Sequence, residues 1–400
     1  MTNMLYHDFS EKILGLQEVM IKKVEEIDGK LFIYIEKERK MHTCPCCGEQ
    51  TDHVHDYRLQ PIKDAPCFGR PVMLMLNKRR YRCVHCGKRF YEEISFLPRY
   101  YRMSRRLIAY VLDKLRDERS FTSVAKDFNL SVSTVIRVFD YLSYPKATLS
   151  SALSIDEFKG NTGREKYQCI LTDPVKHVVL DILPKRYDYY LTNYFKSYPR
   201  GEREKVRYFV SDMWRPYASA ASAWFPNATQ IIDKYHWIRQ VGWAFEGVRK
   251  EAQKEMSPQR RRYFKRSKRL LSKRESRLTD TQREEVHVMR YYSDPLSRAY
   301  QYKEDFFDIV DLDNAQEARK ELGHWIYRVS NSEIPQFMRA GKTMQNWFGG
   351  IVNSYTTTIT NGFTEGCNNK IQVLKRNAYG YSNCGRFRTR FLHMFSQQKP

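Results

Sequence analysis

The sequence lacks the features that would place a protein in a membrane or outside the cell. No apolar run reaches the roughly 18 residues that a membrane-spanning helix needs. The segment from Met1 to Leu16 lacks the pattern of a secretory signal peptide. The cysteines number nine, an odd count, and four of them form two close pairs, which fits a reducing compartment better than a disulfide framework. We therefore expect a cytoplasmic location.

Acidic residues are scarce relative to basic ones. The chain has 46 Asp and Glu against 69 Lys and Arg, which gives a formal net charge of +23. Such an excess favours a polyanionic partner, with nucleic acid first, and the alternative is a basic protein without such a partner. The 28 Tyr and 22 Phe argue for a folded chain rather than a disordered one. The length of 400 residues suffices for several domains.

Two short cysteine motifs predict a zinc site. Each has the form C-x-x-C followed by glycine, and a tight turn of this kind brings two thiolates to a tetrahedral Zn²⁺. The predicted ligands of this single structural ion are Cys44, Cys47, Cys83 and Cys86. Cys46 leaves some doubt about the first pair, and four histidines are alternative ligands, namely His42, His53, His55 and His85. The other interpretation is two structural turns without a metal.

Strand patterns flank these motifs. Val24 to Ile27 and Leu31 to Ile35 surround Asp28-Gly29, a strong two-residue turn signal, and predict a β-hairpin. Pro71 to Leu76 reads as a strand that runs into a basic segment. Its cations suit contact with phosphates, or form a solvated edge; they are Lys78, Arg79 and Arg80.

The segment from Phe121 to Arg137 has the pattern of a helix-turn-helix. Ser104 is a plausible N-cap for a helix that precedes it, and Asn129 can adopt the left-handed turn conformation between the two later helices. Ser131 can cap the second helix. The side chains that would face the DNA major groove are Ser133, Thr134 and Arg137. Plain helical hairpins share this pattern.

Three acidic residues are predicted to converge on one or two Mg²⁺ ions. Asp156 lies in the middle of an apolar strand that starts at Leu153, where a carboxylate is costly unless it is paired or binds a metal. Asp212 ends a second strand, from Lys205 to Ser211, and Glu365 lies near a helix start. Hard divalent cations prefer such oxygen ligands.

Further strands and helices around these acids predict a mixed α/β sheet. Asp156 and Asp212 become neighbours if their strands pair. The strand patterns cover 167–172, 177–183 and 229–232, and the helix patterns cover 187–198 and 214–224.

The stretch between Asp212 and Glu365 is too long for an ordinary loop, so residues 237–345 are predicted to be an inserted helical region. Its basic run is either a track for DNA phosphates or a solvated helix face. The run comprises Arg260, Arg261, Arg262, Lys265, Arg266, Lys268 and Arg269, followed by Lys273, Arg274 and Arg277. The tryptophans are interpreted as packing residues, with a stacking role for any one of them as the less favoured alternative: Trp237, Trp243, Trp325 and Trp347.

A last cluster of polar residues surrounds Glu365. Asn361 and Asn368 can orient its carboxylate or contact a phosphate, and the Thr364 hydroxyl can cap the helix. Four cations lie where substrate DNA would pass, namely Lys370, Lys375, Arg376 and Arg386.

In order and number, these motifs resemble those of the ISL-three family of bacterial insertion-sequence transposases, which have a DDE catalytic site. The resemblance covers nearly the whole chain, through the cysteine pairs, the helix-turn-helix and the segments 154–157, 211–213, 233–236 and 361–366 with Lys375-Arg376. It implies an α/β ribonuclease H-like core, with parts at 151–236 and 346–400 around the helical insertion at 237–345. A zinc-binding domain at 1–100 and a helix-turn-helix region at 101–150 would precede the core.

The resemblance further implies that Asp156, Asp212 and Glu365 form a catalytic triad that holds two Mg²⁺, for which Mn²⁺ could substitute. Asp233 and His236, spaced D-x-x-H, would support this site, although His236 can also be a packed core histidine. The implied partners are double-stranded DNA, as terminal inverted repeats and target, and a second copy of the chain. The implied location is the bacterial cytoplasm, at the nucleoid.

Three functional hypotheses follow. The first is a transposase that cleaves the ends of its element and joins the 3′-hydroxyl ends to target DNA. The second is a metal-dependent nuclease with the same acids and no strand transfer. The third is a zinc and helix-turn-helix DNA-binding regulator without chemistry, against which the three intact acids weigh.

Overall fold

The computed structural model describes residues 15–16, 19–98, 101–160, 166–266 and 268–396. Most of the segment from Met1 to Leu16, and Ser267 in the basic run, lie outside the described residues. The chain forms two compact units. The first contains the described residues up to Tyr144, Val373–Gly380 and the described residues from Thr389 onward, and the second contains Pro145–Gln372 and Tyr381–Arg388.

A five-stranded sheet dominates the first unit, in the order β1-β2-β6-β5 with β7 beside β6. The predicted hairpin is confirmed, because Asp28 (φ 50°) and Gly29 (φ 70°) form a left-handed two-residue turn between β1 and β2. A separate pair, β3 and β4, carries the first cysteine motif. The strands are β1 (Val19–Ile27), β2 (Lys30–Lys37), β3 (His42–Thr43), β4 (Gln50–Thr51), β5 (Val54–Cys67), β6 (Arg70–Arg82) and β7 (Arg89–Tyr91).

Three helices follow in the first unit: α1 (Arg105–Lys114), α2 (Phe121–Asp127) and α3 (Val132–Phe139). The predicted caps are confirmed, since the Ser104 hydroxyl accepts the Leu107 N–H and the Ser131 hydroxyl accepts the Thr134 N–H. Asn129, between α2 and α3, has φ 50°. These features confirm the helix-turn-helix pattern.

C-terminal residues pack into this first unit. Arg390 Nη2 donates to the carbonyl oxygens of Asp117 (2.7 Å) and Arg119 (2.9 Å). The ring of His393 places Nδ1 2.6 Å from the Tyr144 hydroxyl. Part of the region predicted to end the catalytic core, 346–400, therefore belongs to the same compact unit as the helix-turn-helix.

The second unit is built on a sheet of order β10-β9-β8-β11-β12. Strand β9 is antiparallel to β8 and β10, whereas β11 is parallel to β8 and β12. The α/β character predicted for this region is confirmed. The elements are β8 (Ala152–Lys159), β9 (Tyr167–Asp173), β10 (Val178–Leu183), α4 (Asp188–Lys196), α5 (Arg200–Arg203), β11 (Tyr208–Ser211), α6 (Arg215–Trp224) and β12 (Thr229–Ile232).

Strand β11 is shorter than the sequence pattern indicated. It begins at Tyr208 and not at Lys205, because the N–H groups of Lys205 and Val206 bond back to the carbonyl oxygens of Glu202 and Arg203 at the end of α5. The apolar side of the sheet packs against α4 and α6 through Phe195, Phe209 and other buried residues.

The remaining part of the second unit is helical, as predicted. Trp237 and Trp325 are fully buried in its core and Trp347 packs against it, which confirms their packing role. Trp243 is 57% exposed, so its assignment as a packing residue was wrong. The helices are α7 (Lys234–Lys254), α8 (Pro258–Arg266), α9 (Lys268–Leu271), a 3₁₀ turn (Glu275–Arg277), α10 (Asp280–Tyr291), α11 (Asp294–Val310), α12 (Ala315–Ser330), α13 (Pro335–Asn346) and α14 (Phe348–Asn353).

Two further helices complete the chain, α15 (Gly362–Asn377) and α16 (Cys384–Phe395). Helix α15 starts at Gly362, so Glu365 lies in its first turn, near the helix start as predicted. Among the described helices, none combines the length and the apolar character that crossing a lipid bilayer requires.

Candidate metal sites and nucleic-acid surfaces

The four predicted cysteines form one compact group. Their Sγ atoms all lie within 4.8 Å of one another, with 3.6 Å between Cys44 and Cys86 and 3.5 Å between Cys47 and Cys83. In each motif the N–H of the following glycine, Gly48 or Gly87, donates to the carbonyl oxygen of the first cysteine at 3.0 Å. Both glycines have positive φ, at 79° and 72°, which favours a residue without Cβ. The two motifs are therefore equivalent turns.

The donor set fits a structural Zn²⁺. A hydrogen bond from the backbone N–H of Cys47 lowers the pKa of the Cys44 thiol to about 6, which favours the thiolate that binds metal. Cys46 is exposed and lies outside the group. Within the described part of the chain, no histidine belongs to this group either, so the four cysteines form it without a substitute.

Two of the predicted acids meet at one edge of the second sheet. Strands β8 and β11 are parallel neighbours, with Ser154 opposite Val210. Asp156 comes two residues after Ser154, and Asp212 comes two residues after Val210. Because the strands are parallel, both acids lie towards the same end of the two strands. The two strands do pair, which is the condition under which Asp156 and Asp212 were expected to be neighbours.

Asp156 is 7% exposed, and its pKa is raised to about 7. Burial is the main cause, and the negative charges of Asp212, Glu157 and Glu365 add to it. Its carboxylate accepts the Glu157 N–H at 2.8 Å and the Asn368 side-chain amide at 2.8 Å. Orienting a carboxylate was one of the two predicted roles of Asn368. Asn368 does so, but the carboxylate is that of Asp156 and not that of Glu365.

Asp212 has a similar environment. Burial raises its pKa to about 6, the charge of Glu157 adds to this, and the Trp214 N–H donates to Asp212 Oδ1 at 3.0 Å. Glu157 itself is ion-paired with Arg186, whose guanidinium lies 4.3 Å and 4.4 Å from the ring centres of Tyr167 and Trp214. No sequence pattern predicted a role for either member of this pair, and only the position of Glu157 beside Asp156 offered a signal.

Glu365 is held near this edge by a buried chain of hydroxyl groups. The Thr364 hydroxyl donates to Ser154 Oγ at 3.0 Å and lies 2.8 Å from Thr172 Oγ1. The Ser154 hydroxyl in turn donates to the side chain of Asn361. Thr364 thus does not cap the helix as predicted, because its hydroxyl bonds to β8 and β9 instead. This network fixes the first turn of α15 on the sheet.

Glu365 also belongs to a second possible ligand group, with Asp233 and His236. One ligand atom from each of the three lies within 4.8 Å of the others. Asp233 caps α7 by accepting the Tyr235 N–H at 3.2 Å, and its other oxygen accepts the Asn361 N–H at 3.1 Å. In the described residues Asp156 and Asp212 are not members of this group. Asp233 and His236, the two predicted supporting residues, therefore lie beside Glu365, close enough to share a metal ion with it.

We call Asp156, Asp212 and Glu365 the acid cluster. Their carboxylates are the kind of ligand that a divalent cation prefers, but within the described residues the three do not form one group of ligand atoms within 4.8 Å of one another. Negative charges of neighbouring carboxylates add to the raised pKa of Asp156 and of Asp212, and a cation bound among them would remove that repulsion. In addition, Asn368 Oδ1 is buried and has no hydrogen-bond partner among the described residues, which leaves one more oxygen donor beside Asp156. The oxygen donors suit Mg²⁺ or Mn²⁺.

The basic strand in the first unit does not form an open phosphate-binding surface. Arg79 is 2% exposed and is ion-paired with Glu36 and Glu92, so its assignment as a DNA contact is corrected. Arg80 is half-buried and paired with Asp56. Lys78 is half-buried over the ring of Tyr91, at 5.2 Å.

The helix-turn-helix presents its predicted contact residues. Ser133 and Arg137 are exposed and Thr134 is half-buried. The hydroxyls of Ser133 and Thr134 lie 3.0 Å and 2.8 Å from the Ser131 hydroxyl, at the start of α3. Arg137 lies one turn later and is the cation of this helix face.

The basic run of the helical region is accessible. All seven predicted cations between Arg260 and Arg269 are exposed. A cleft of about 760 Å³ lies beside them, and Arg274 in its wall is paired with Asp308 and Asp311. The other cations that line the cleft are Lys265, Arg266, Lys268, Arg269, Lys273 and Arg277.

The cations that follow Glu365 differ in exposure. Lys370 and Arg376 are exposed and Arg386 is half-buried. Lys375 is 7% exposed, which is inconsistent with its predicted place on an open DNA surface.

Comparisons with known proteins match three parts of the chain to family models. Residues 153–391 match a family model described as a transposase, that of ISL3. Residues 40–86 match the zinc finger of the transposases of IS204, IS1001, IS1096 and IS1165, and residues 92–143 match the helix-turn-helix domain of transposase family ISL3. The transposase for insertion sequence element IS1001 of Bordetella parapertussis is 27% identical over 389 residues, which cover 94% of this chain and 95% of that protein.

The cysteine group generates a first prediction. Cys47→Ser should lose the bound zinc and lower the thermal stability of the first unit, because structural zinc contributes directly to folding. Elemental analysis of purified protein should give one zinc per chain for the wild type. The matched control is Cys46→Ser, which changes an exposed cysteine outside the group and should retain the metal. Equal zinc content in both variants would contradict the assignment.

The raised pKa of Asp156 generates a second prediction. In protein whose acid cluster is free of metal, Mn²⁺ affinity should increase about tenfold per pH unit between about pH 6 and 7, more steeply below pH 6, and then level off, because first Asp212 and then Asp156 must release a proton. Without metal, stability should fall as pH rises through the same range, since a raised folded-state pKa makes ionisation unfavourable. Calorimetric titration and thermal unfolding measure the two effects.

Asp156→Asn should weaken Mn²⁺ binding and reduce the loss of stability as pH rises towards 7, while the part due to Asp212 remains. The control is Asp280→Asn, because the Asp280 side chain is 95% exposed and belongs to neither ligand group of the described residues. A pH profile for Asp156→Asn that matches the wild type would show that another group controls binding.

Proposed function

The chain belongs to the ISL3 family of transposases, and we propose that it is a DDE transposase with a ribonuclease H-like core. It binds the terminal inverted repeats of its element, cleaves the DNA at the element ends by metal-dependent hydrolysis, and joins the 3′-hydroxyl ends to target DNA. The observation that carries this proposal is the convergence of Asp156 and Asp212 on paired parallel strands, with Glu365 anchored to the same sheet.

The sheet supports the proposed core. Three consecutive antiparallel strands are followed by two parallel strands on the far side of β8, in the order β10-β9-β8-β11-β12. The first acid lies on the central strand and the second follows its parallel neighbour. A long helical region then separates these acids from the third, as the proposed insertion requires.

Asp156, Asp212 and Glu365 are the proposed ligands of two Mg²⁺, for which Mn²⁺ can substitute. Such ions, when bound, lower the pKa of an attacking water and stabilise the charge on the leaving 3′-oxygen. The protein supplies the ionised carboxylates and keeps them in place. Asp156 is fixed by the Glu157 N–H and Asn368, and Asp212 is fixed by the Trp214 N–H.

Strand transfer uses the same site in a second step. The freed 3′-hydroxyl takes the place of the water and attacks a phosphodiester of the target. The new P–O bond forms as the bond to the target's own 3′-oxygen breaks, and that oxygen leaves as a 3′-hydroxyl, so no covalent enzyme intermediate is required. The His236 ring is kept neutral by burial, which lowers its pKa, and it lies beside Glu365. Asp233 and His236 are therefore proposed to position Glu365.

DNA recognition is proposed to reside mainly in α3 and in the basic helical run. Arg137, on the exposed face of α3, reads bases in the terminal repeat. The cations from Arg260 to Arg269 contact phosphates. Two element ends must be joined in one complex, so we propose a homodimer on DNA, at the nucleoid of the bacterial cytoplasm.

Loss of any one acid should abolish cleavage. Asp156→Ala, Asp212→Ala and Glu365→Ala should each reduce nicking of an end-containing duplex in Mg²⁺ by more than about 100-fold, since even changes behind a metal ligand cost about 10–100-fold. DNA binding should persist, because it resides elsewhere. Asp280→Ala, an exposed acid on α10, is the matched control. Near-normal nicking by one variant would remove that residue from the site.

Base reading and phosphate contact should separate by mutation. Arg137→Ala should reduce discrimination between repeat and scrambled duplexes, as one good base contact contributes about 1–3 kcal/mol. The double variant Arg261→Ala with Lys265→Ala should weaken binding to every sequence and reduce the salt dependence, because phosphate contacts carry no sequence information.

Binding of full-length protein to both duplexes at several salt concentrations measures these effects. Lys126→Ala is the control for Arg137, because it removes an exposed positive charge from α2 of the same motif. If Arg137→Ala weakens both duplexes equally, α3 does not read bases in the proposed way.

A further inference from the structure

One face of α7 carries a half-buried arginine between two exposed aromatic rings. Tyr235, Arg239 and Trp243 are spaced by four residues, so they lie on the same face of the helix. The side chains of Tyr235 and Trp243 are 55% and 57% exposed. We call these three residues the α7 ridge.

The two rings hold the guanidinium of Arg239. Its Cζ lies 5.1 Å from the ring centre of Tyr235 and 4.6 Å from that of Trp243, both within the range of cation–π attraction. The contact with His236 is long, at 3.4 Å between Nη2 and Nδ1. Arg239 Nε is buried and has no hydrogen-bond partner among the described residues. The guanidinium is therefore held in place, and its Nε–H group has no acceptor among the described residues.

Arg239 lies near the acid cluster without joining it. Burial raises the pKa of Asp212 and of Glu365, and the positive charge of Arg239 partly opposes both effects. Nevertheless, no carboxylate in the described part of the chain forms an ion pair with it. Arg186, by contrast, is neutralised by Glu157 at the same site. The charge of Arg239 therefore remains available to a ligand that reaches the acids.

The chemistry of the ridge fits DNA. A guanidinium presents paired N–H donors that match the oxygens of a phosphodiester. Exposed aromatic rings beside such a cation are the platform on which sugars and unpaired bases pack. A protein of net charge +23 already favours a polyanion over another copy of itself at a cationic surface.

We propose that the α7 ridge binds the DNA strand next to the cleavage point. Arg239 donates to the non-bridging oxygens of one phosphate, and Tyr235 and Trp243 pack against the adjoining nucleotide. The location beside Asp212 and Glu365 rests on the proposed function, because it assumes that these acids mark where the strand is cut.

A charge-neutralised duplex tests the phosphate contact. The probe is the terminal repeat that flanks the gene, bound by full-length protein with Ca²⁺ as the only added divalent ion. Arg239→Ala should weaken binding about tenfold, the size expected for a charged hydrogen bond. Arg239→Lys should restore only part of this, because an ammonium lacks the guanidinium fork. The duplex is then made with a methylphosphonate at each phosphate around the cleavage point in turn.

At one of these positions, the methylphosphonate should weaken wild-type binding and remove any further effect of Arg239→Ala. Tyr235→Ala and Trp243→Ala should weaken binding to the same duplex. Two controls match these changes: Lys254→Ala removes a 65% exposed charge from the same helix, and Tyr327→Ala removes a 73% exposed ring from α12. Both should bind like the wild type.

Two results would overturn the inference. In the first, Arg239→Ala has the same effect on every neutralised duplex, so that no phosphate is coupled to it. In the second, the ring variants leave DNA binding unchanged and alter the oligomeric state measured by light scattering, which would make the ridge a protein interface. A protein that shows the coupling but fails to cleave DNA would instead contradict the proposed function alone.

Discussion

The burial of Asp156 in the middle of β8 is the constraint on which the second unit depends. Removing a carboxylate from water is unfavourable, and here its neighbours are other acids, so the pKa rises to about 7. The backbone and Asn368 provide hydrogen bonds that orient the group without neutralising it. Such an arrangement holds a carboxylate in a fixed position at the expense of stability, which is the condition that a cation-binding site requires.

The same constraint explains the polar core beneath α15. Ser154, Thr172 and Thr364 come from distant parts of the sequence, yet their hydroxyls form one buried chain. Each member donates or accepts within the chain, so burial does not leave them unsatisfied. Because a shift of α15 would break several of these bonds at once, Glu365 is restricted to a narrow range of positions relative to Asp156. Apolar packing alone would allow the helix to slide.

Features with local causes could be predicted from the sequence. The turn at Asp28-Gly29, the caps at Ser104 and Ser131 and the cysteine turns depend on a few adjacent residues, and the structure contains all of them. The succession of strands along the chain after Asp156 could also be predicted, because apolar runs and turn residues alternate clearly there.

Features with distant causes could not be predicted. The packing of Arg390 against the carbonyl oxygens of Asp117 and Arg119 joins segments far apart in the chain, and no sequence pattern indicates it. It follows that a fragment ending near residue 150 would lack part of the unit that contains the helix-turn-helix. The proximity of Glu365 to Asp233 and His236 is another such feature.

Three arginines show why charge alone does not identify a nucleic-acid contact. Arg79 belongs to a basic run, but Glu36 and Glu92 on neighbouring segments surround it and its charge is used within the fold. Arg186 is near the acids and is neutralised by Glu157. Arg239 stands outside any basic run, and aromatic rings rather than carboxylates hold it. Since rings fix a guanidinium without cancelling its charge, the residue with the least conspicuous sequence context is the one best prepared to bind an anion.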